Sequence, residues 1–160
     1  MRYQLREKMF AIGDDYWIET DTGQRAFKVD GKALRIRKTL VLETAQGHEV
    51  FTIQKKTLSI HDTMEIKRGG NTVAVVEKAL ITLLGDRFSI EVEDGRTLEA
   101  EGDIVDHEYT IERGGDKVAE VSKQWFRMRD AYGIDVGAGQ DEGLILAIAV
   151  CIDQMSHNTG

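Results

Sequence analysis

The sequence predicts a mainly β protein, a closed barrel of about 12 antiparallel strands around one buried C-terminal helix. Three observations predict it. Short segments of alternating apolar and polar residues recur as far as Val136, broken by Gly- and Asp-containing turns at the roughly 8–12-residue spacing of all-β folds. The run Leu144 to Ile152 carries no charge and no side-chain amide, the pattern of a helix buried on every side. Proline is absent from all 160 residues, which suits uninterrupted ladders of paired strands.

The elements follow in order. Met1 to Phe10 reads as a short strand or lead-in, and Asp14-Asp15 as a turn. Tyr16 to Thr20 has strand period, and Asp21-Thr22-Gly23 turns the chain into a second alternating segment, Arg25 to Val29. Asp30-Gly31 is a hairpin signal, followed by Leu34-Arg35-Ile36-Arg37, which alternates apolar and basic. Thr39 to Lys55 is a hairpin turning near Gln46-Gly47. Met64 to Lys78 and Tyr109 to Lys123 match position for position, each turning on a Gly-Gly pair that supplies the positive φ of a tight hairpin. Each leads into a further expected strand, Ala79 to Leu84 and Gln124 to Arg129. A polar turn and then Phe88 to Val92 or Tyr132 to Val136 come next.

The helix spans about residues 141–155, with Asp141 as N-cap and Glu142 complementing the positive helix end. Some 14 residues rise only ~21 Å, short of the ~20 apolar residues that cross a bilayer. A two-layer sandwich would leave one stripe of this helix wet. Each large side chain is worth ~1.5–3 kcal/mol when fully buried, so the sheet must close around it, which also removes sheet edges. On this register Ile66, Ile81, Leu83, Ile90, Val92, Ile111, Phe126, Met128, Ile134 and Val136 face inward. Thr82, Glu91, Lys123, Arg127, Arg129 and Asp135 face water, with Trp125 on the outward register beneath a covering loop. Residues 1–160 form one domain, and closure is consistent with a monomer.

Composition narrows the function. The net charge of −7 argues against nucleic-acid binding, which needs a basic surface. The one cysteine, Cys151, forms no internal disulfide and reads as a small core hydrophobe in the helix. The N-terminus lacks an apolar signal core, so a cytoplasmic protein is expected.

The closing run Asp135 to Asp153, the opening Met9-Phe10-Ala11-Ile12-Gly13-Asp14-Asp15-Tyr16-Trp17-Ile18 and the segment Ala26-Phe27-Lys28-Val29-Asp30-Gly31 together resemble LURP-one-related proteins over nearly the whole chain. The resemblance implies a tubby-like barrel of 12 antiparallel strands around a hydrophobic C-terminal helix, a fold shared with tubby C-terminal domains and phospholipid scramblases. Tubby domains bind phosphoinositide head groups through basic residues on the barrel surface. No general activity of the LURP-one-related branch carries over, and fold alone does not transfer function.

The sharpest candidate site is Lys32, Arg35, Arg37 and Lys38. Arg35 and Arg37 share one strand face and, with Lys32 in the preceding turn, could clasp a phosphate. Against this stands the ordinary reading of a solvated outer face. Lys123, Arg127 and Arg129 beside Trp125 form a second such cluster. The histidines His48, His61, His107 and His157 are scattered, and Asp103 to Glu108 reads as a polar turn, too sparse in ligands for a metal. His61-Asp62 point to opposite strand faces, and no nucleophile elbow, Walker loop or dinucleotide fingerprint is present. Gly137-Ala138-Gly139 precedes the helix, but Glu142 occupies the anion position there. The expectation is a non-enzymatic binding module without cofactor. Its partner is an anionic phospholipid head group such as a phosphoinositide, which implies peripheral membrane association, or another protein. The alternative is an enzyme or small-ligand carrier with a site at the barrel mouth.

Overall fold

The computed structural model describes residues 1–6, 15–31, 39–56, 62–79, 86–126 and 130–157. The strands are β1 (Arg2–Arg6), β2 (Tyr16–Thr20), β3 (Arg25–Asp30), β4 (Thr39–Thr44), β5 (Glu49–Lys55), β6 (Thr63–Arg68), β7 (Asn71–Lys78), β8 (Asp86–Val92), β9 (Thr97–Asp103), β10 (Glu108–Arg113), β11 (Asp116–Ser122) and β12 (Ala131–Val136). A single helix, α1 (Glu142–His157), follows among the described residues. Each strand pairs antiparallel with its neighbours in sequence, and β1 pairs with β12 to close the barrel. The seam runs from Arg2 opposite Asp135 to Arg6 opposite Ala131. It is tied at its end by reciprocal bonds, each 2.9 Å: the Met1 ammonium donates to the Val136 carbonyl, and the Val136 N–H to the Met1 carbonyl.

The hairpins share a construction. Gly69-Gly70 and Gly114-Gly115 take nearly identical conformations, φ 56° and 84° in one turn and 56° and 88° in the other. Both central residues lie where a side chain is disfavoured, the requirement of a two-residue hairpin turn matched to strand twist. In each, the pairing slips by one residue shortly before the turn, between Ile66 and Lys67 and between Ile111 and Glu112. The same slip occurs between Ile18 and Glu19 and between Leu42 and Glu43. Four bulges at one end of the barrel add twist where the sheet must curl.

The inner surface is apolar and the helix fills it. Leu146 through Ile152 are completely buried, and Ile66, Ile90, Val92, Ile111, Ile134 and Val136 face them as the periodicity requires. Glu91 is exposed. The helix begins where the cap predicts: the Leu144 N–H donates to Asp141 Oδ1 at 3.1 Å, and the Ile145 N–H to the Asp141 carbonyl at 3.0 Å. Its end at His157 is two residues beyond the expected one.

Two expectations are corrected. Asp30-Gly31 makes no tight hairpin, because Asp30 pairs with Val41. The strand expected at Ala79 to Leu84 falls on 80–84, which lie outside the described residues. The strand expected at Gln124 to Arg129 is a turn over Gln124 and Trp125, and Phe126 is in no strand. Phe126 therefore does not point inward. With Trp125 it lies half-buried over Gly133 of β12, whose missing side chain makes the room: a Cβ there would stand 2.6 Å from Phe126 Cε2 and 2.8 Å from Trp125 Cε3. The Arg2 guanidinium caps the Trp125 ring at 4.3 Å. Alternation misassigned this stretch because its aromatics are buried by folding back over the wall, not by pairing. Ile81, Thr82, Leu83, Arg127, Met128 and Arg129 lie outside the described residues.

Two substitutions test this packing by urea denaturation. Leu146→Ala should cost ~2–5 kcal/mol, whereas Leu146→Asp should abolish the cooperative transition, since no partner awaits a charge there. Gly133→Ala should cost ~1–3 kcal/mol by overpacking and shift the tryptophan emission; an unchanged midpoint would mean that the Trp125 turn is not seated on β12.

Candidate functional site

Among the described residues, many cations of the outer wall are matched by carboxylates. Arg2 meets Asp135 at 3.3 Å, Lys28 meets Asp15 at 3.2 Å, Arg87 meets Glu101 at 2.8 Å and Lys117 meets Glu120 at 2.7 Å. Lys55 and Lys67 have looser carboxylate partners in Asp62 and Glu65. The face of β9 and β10 is acidic, with Glu99 directly opposite Glu112. Two shallow depressions mark this side, about 310 Å³ beside Glu99, Glu112 and Gly115 and about 140 Å³ beside Lys117, Glu120 and Asp135. Neither presents converging cations.

The predicted anion site, Lys32, Arg35, Arg37 and Lys38, lies outside the described residues, as do Arg127 and Arg129 of the second cluster. Lys123 is half-buried just past β11. His48 sits in an exposed turn, His61 lies outside the described residues, and His157 closes the helix. Among the described residues no three potential metal ligands converge.

The polar site that sequence reasoning missed is inside the barrel. Asp153, in the penultimate turn of α1, is 2% exposed, and His107 is 3% exposed. His107 Nε2 stands 2.7 Å from Asp153 Oδ1, and the Tyr132 hydroxyl donates to Oδ2 at 3.4 Å. The imidazole stacks on the Tyr132 ring, with centroids 4.2 Å apart and planes 23° from parallel. Tyr16 and Tyr109 complete the surround; burial first, and then the Asp153 charge, raises the pKa of both phenols and of Tyr132. A carboxylate in an apolar interior is costly unless it is satisfied, and this one is met from two sides of the barrel.

His107 arrives by an unusual backbone. The turn Asp103 to His107 is set by the Asp106 N–H donating to Asp103 Oδ1 at 3.2 Å and the His107 N–H donating to the Ile104 carbonyl at 3.1 Å. It leaves His107 at φ 55°, the left-handed region. Such a conformation costs on the order of 1–3 kcal/mol, and a hydrogen bond to a charged group returns ~1.5–3 kcal/mol. The magnitudes are comparable, so the bond to Asp153 can offset the strain. Reading Asp103 to Glu108 as a polar turn was right for the backbone and wrong for His107. The missed signal was Asp153 itself, seven residues after Leu146 and therefore on the same buried stripe.

This constellation orients the helix from within the core. Cys151, two residues before Asp153 in the helix, is fully buried, and burial pushes its thiol pKa up, away from nucleophilic thiolate. At the opposite end of the helix, the Tyr3 hydroxyl donates to Glu142, and the carboxylate that accepts from a helix N–H is that of Asp141.

Comparison with known proteins agrees with the architecture. The sequence model described as LURP-one-related matches residues 1–153. The uncharacterised protein YxjI of Bacillus subtilis (strain 168) is 29% identical over 154 residues, spanning 96% of this chain and 93% of that protein. The X-ray structure of an Arabidopsis thaliana protein superposes with a TM-score of 0.71 over 97% of this chain and 91% of that one. At 16% identity, this is a likeness of fold.

The tyrosines give a pH test. All four, Tyr3, Tyr16, Tyr109 and Tyr132, have raised pKa values, Tyr3 through burial and its bond to Glu142. An unfolded tyrosine ionises near ~10. Above that the unfolded state holds fewer protons than the folded one, so stability is complete below pH ~10 and falls as pH rises further. Tyrosinate absorbance should therefore appear together with the loss of circular dichroism, at a pH above that of free tyrosine. A phenol titrating near 10 in an intact barrel would refute the assignment.

Proposed function

This chain belongs to the LURP-one-related family, and from that premise we propose that it is a non-enzymatic binding module for anionic phospholipid head groups, engaged by Lys32, Arg35, Arg37 and Lys38. The observation that carries the reading is the filled interior: Leu146 through Ile152 are completely buried, so the helix takes the space a substrate would need. Binding then belongs to the outside. There the described cations are largely matched by carboxylates, as Arg87 is by Glu101 and Lys117 by Glu120. The stretch Lys32 to Lys38 holds four cations and no acid, an uncompensated charge run in a protein of net charge −7.

The same balance sets the strength. Each basic residue near an anionic leaflet contributes about 1 kcal/mol, and the attraction decays within a Debye length. Four cations on an acidic protein make a weak and salt-sensitive peripheral contact. No described helix is long and apolar enough to cross a membrane. The enzyme or carrier reading would require convergent polar groups around a cavity beside the helix.

Flotation with phosphatidylcholine vesicles carrying a phosphoinositide tests the proposal. The protein should float with these vesicles at low salt, remain unbound to phosphatidylcholine alone, and lose most of its binding with Arg35→Ala plus Arg37→Ala. Absence of binding at low salt, or binding indifferent to the double substitution, would end the lipid reading and turn attention to a protein partner.

A further inference from the structure

We propose that Asp94-Gly95, at the tip of the β8–β9 hairpin, is a latent site of isoaspartate formation that Arg96 holds in check. The reaction needs an aspartate followed by a residue with no side chain to shield its backbone nitrogen. The sequence offers that pair twice, at Asp30-Gly31 and at Asp94-Gly95. Asp30 is fixed in a ladder opposite Val41, and Gly31 is buried. Asp94 and Gly95 are both exposed, Gly95 lies at φ 87°, and a Cβ there would meet nothing within 4 Å.

The chemistry consumes only water. The Gly95 nitrogen gives up its proton and attacks Asp94 Cγ. An N–Cγ bond forms, and one carboxyl oxygen leaves as water, carrying the amide proton and one from the acid. The product is a five-membered succinimide, which water reopens. Where water breaks the bond between the Gly95 nitrogen and the Asp94 backbone carbonyl carbon, the chain runs on through Cβ and Cγ and a new α-carboxylate stands at the turn. One carbon is thereby added to the backbone of a hairpin turn whose length sets the register of its strands.

Three contacts oppose the first step. The Gly95 N–H donates to the Val92 carbonyl at 3.0 Å, which engages the proton that must leave. The Arg96 N–H donates to Asp94 Oδ1 at 3.0 Å, and Arg96 Nε donates to Oδ2. Both carboxylate oxygens are held, so turning the carboxyl to accept the nitrogen at Cγ breaks at least one charge-assisted bond. The same contacts keep the acid ionised. The Arg96 N–H first, then the Arg96 side chain and the more distant Arg113, hold the Asp94 carboxyl below its ordinary range. An ionised carboxylate has no oxygen ready to leave as water. The tip is also pinned on both sides: the Val92 N–H donates to the Arg96 carbonyl and the Glu93 N–H to the Val73 carbonyl, each at 2.9 Å. Of all these bonds, the one from Arg96 Nε can be removed without touching the backbone.

Isoaspartate at residue 94 is followed by peptide mapping during incubation at neutral pH and physiological temperature. The samples are folded wild type, Arg96→Leu, and wild type unfolded in urea. The unfolded chain should react fastest, and at both Asp-Gly pairs. Folded wild type should be slowest, and Arg96→Leu should exceed it roughly two- to fivefold at residue 94 alone, the scale of a half-exposed charge pair. That gain should hold steady in urea well below the unfolding midpoint, which separates loss of the tether from global unfolding. Arg96→Lys serves if Arg96→Leu does not fold: it keeps the charge and the backbone donor, loses the Nε bond, and should still exceed wild type. Folded wild type reacting at residue 94 as fast as the unfolded chain would overturn the proposal. So would a folded variant no faster than wild type, or one whose rate climbs with urea along the slope of global unfolding.

Discussion

A helix that is apolar around its whole circumference cannot be half-covered, and this one constraint dictates the architecture. A sheet packed on one side would hide a stripe of α1 and leave the rest in water. Because Leu146 through Ile152 are all buried, the sheet has to reach the far side of the helix, and a twisted sheet that long meets its own edge. The β1–β12 seam is the consequence, and it spares both edge strands an exposed row of backbone donors and acceptors. The absence of proline is consistent with this requirement, since every strand lies between two partners.

Closure also explains the repetition in the chain. Strands that follow one another around a barrel face the same geometric problem, and similar local solutions recur. Ile66 with Gly69-Gly70 and Ile111 with Gly114-Gly115 are such a pair, down to the position of the bulge. These elements were legible in the sequence because turn chemistry and period-two burial are local signals. The bulges themselves were not, because a one-residue slip leaves no mark in composition. Phe126 was misassigned for a related reason: alternation records that a residue is buried but not which surface buries it, and here the cover is Gly133 on the outside of β12.

The polar core was illegible for a deeper reason. His107 and Asp153 are 46 residues apart and belong to elements that read, separately, as a surface turn and a greasy helix. Nothing in either segment names the other; only the barrel brings the turn after β9 over the last turns of α1. A buried carboxylate is weak evidence for stability, because a well-packed apolar pair often serves as well. Its retention in the middle of an apolar interior fits a role in fixing where the helix sits. Apolar contact alone tolerates sliding and rotation, whereas a hydrogen bond from a turn of defined shape does not.

The same logic separates what the inside and the outside of this molecule can do. Inside, two polar groups seat the helix at Asp153: His107 by its ring nitrogen, Tyr132 by its hydroxyl and stacked ring. Outside, ion pairs such as Arg2–Asp135 and Arg87–Glu101 cancel charge across neighbouring strands. Half-exposed pairs of this kind add little to stability, yet they flatten the potential of the wall and leave any local excess of one sign conspicuous to a charged partner. In the sequence the excess of positive charge falls at Lys32, Arg35, Arg37 and Lys38. Among the described residues many cations of the wall are matched by carboxylates, and against that balance the run of positive charge that the sequence carries from Lys32 to Lys38 stands out.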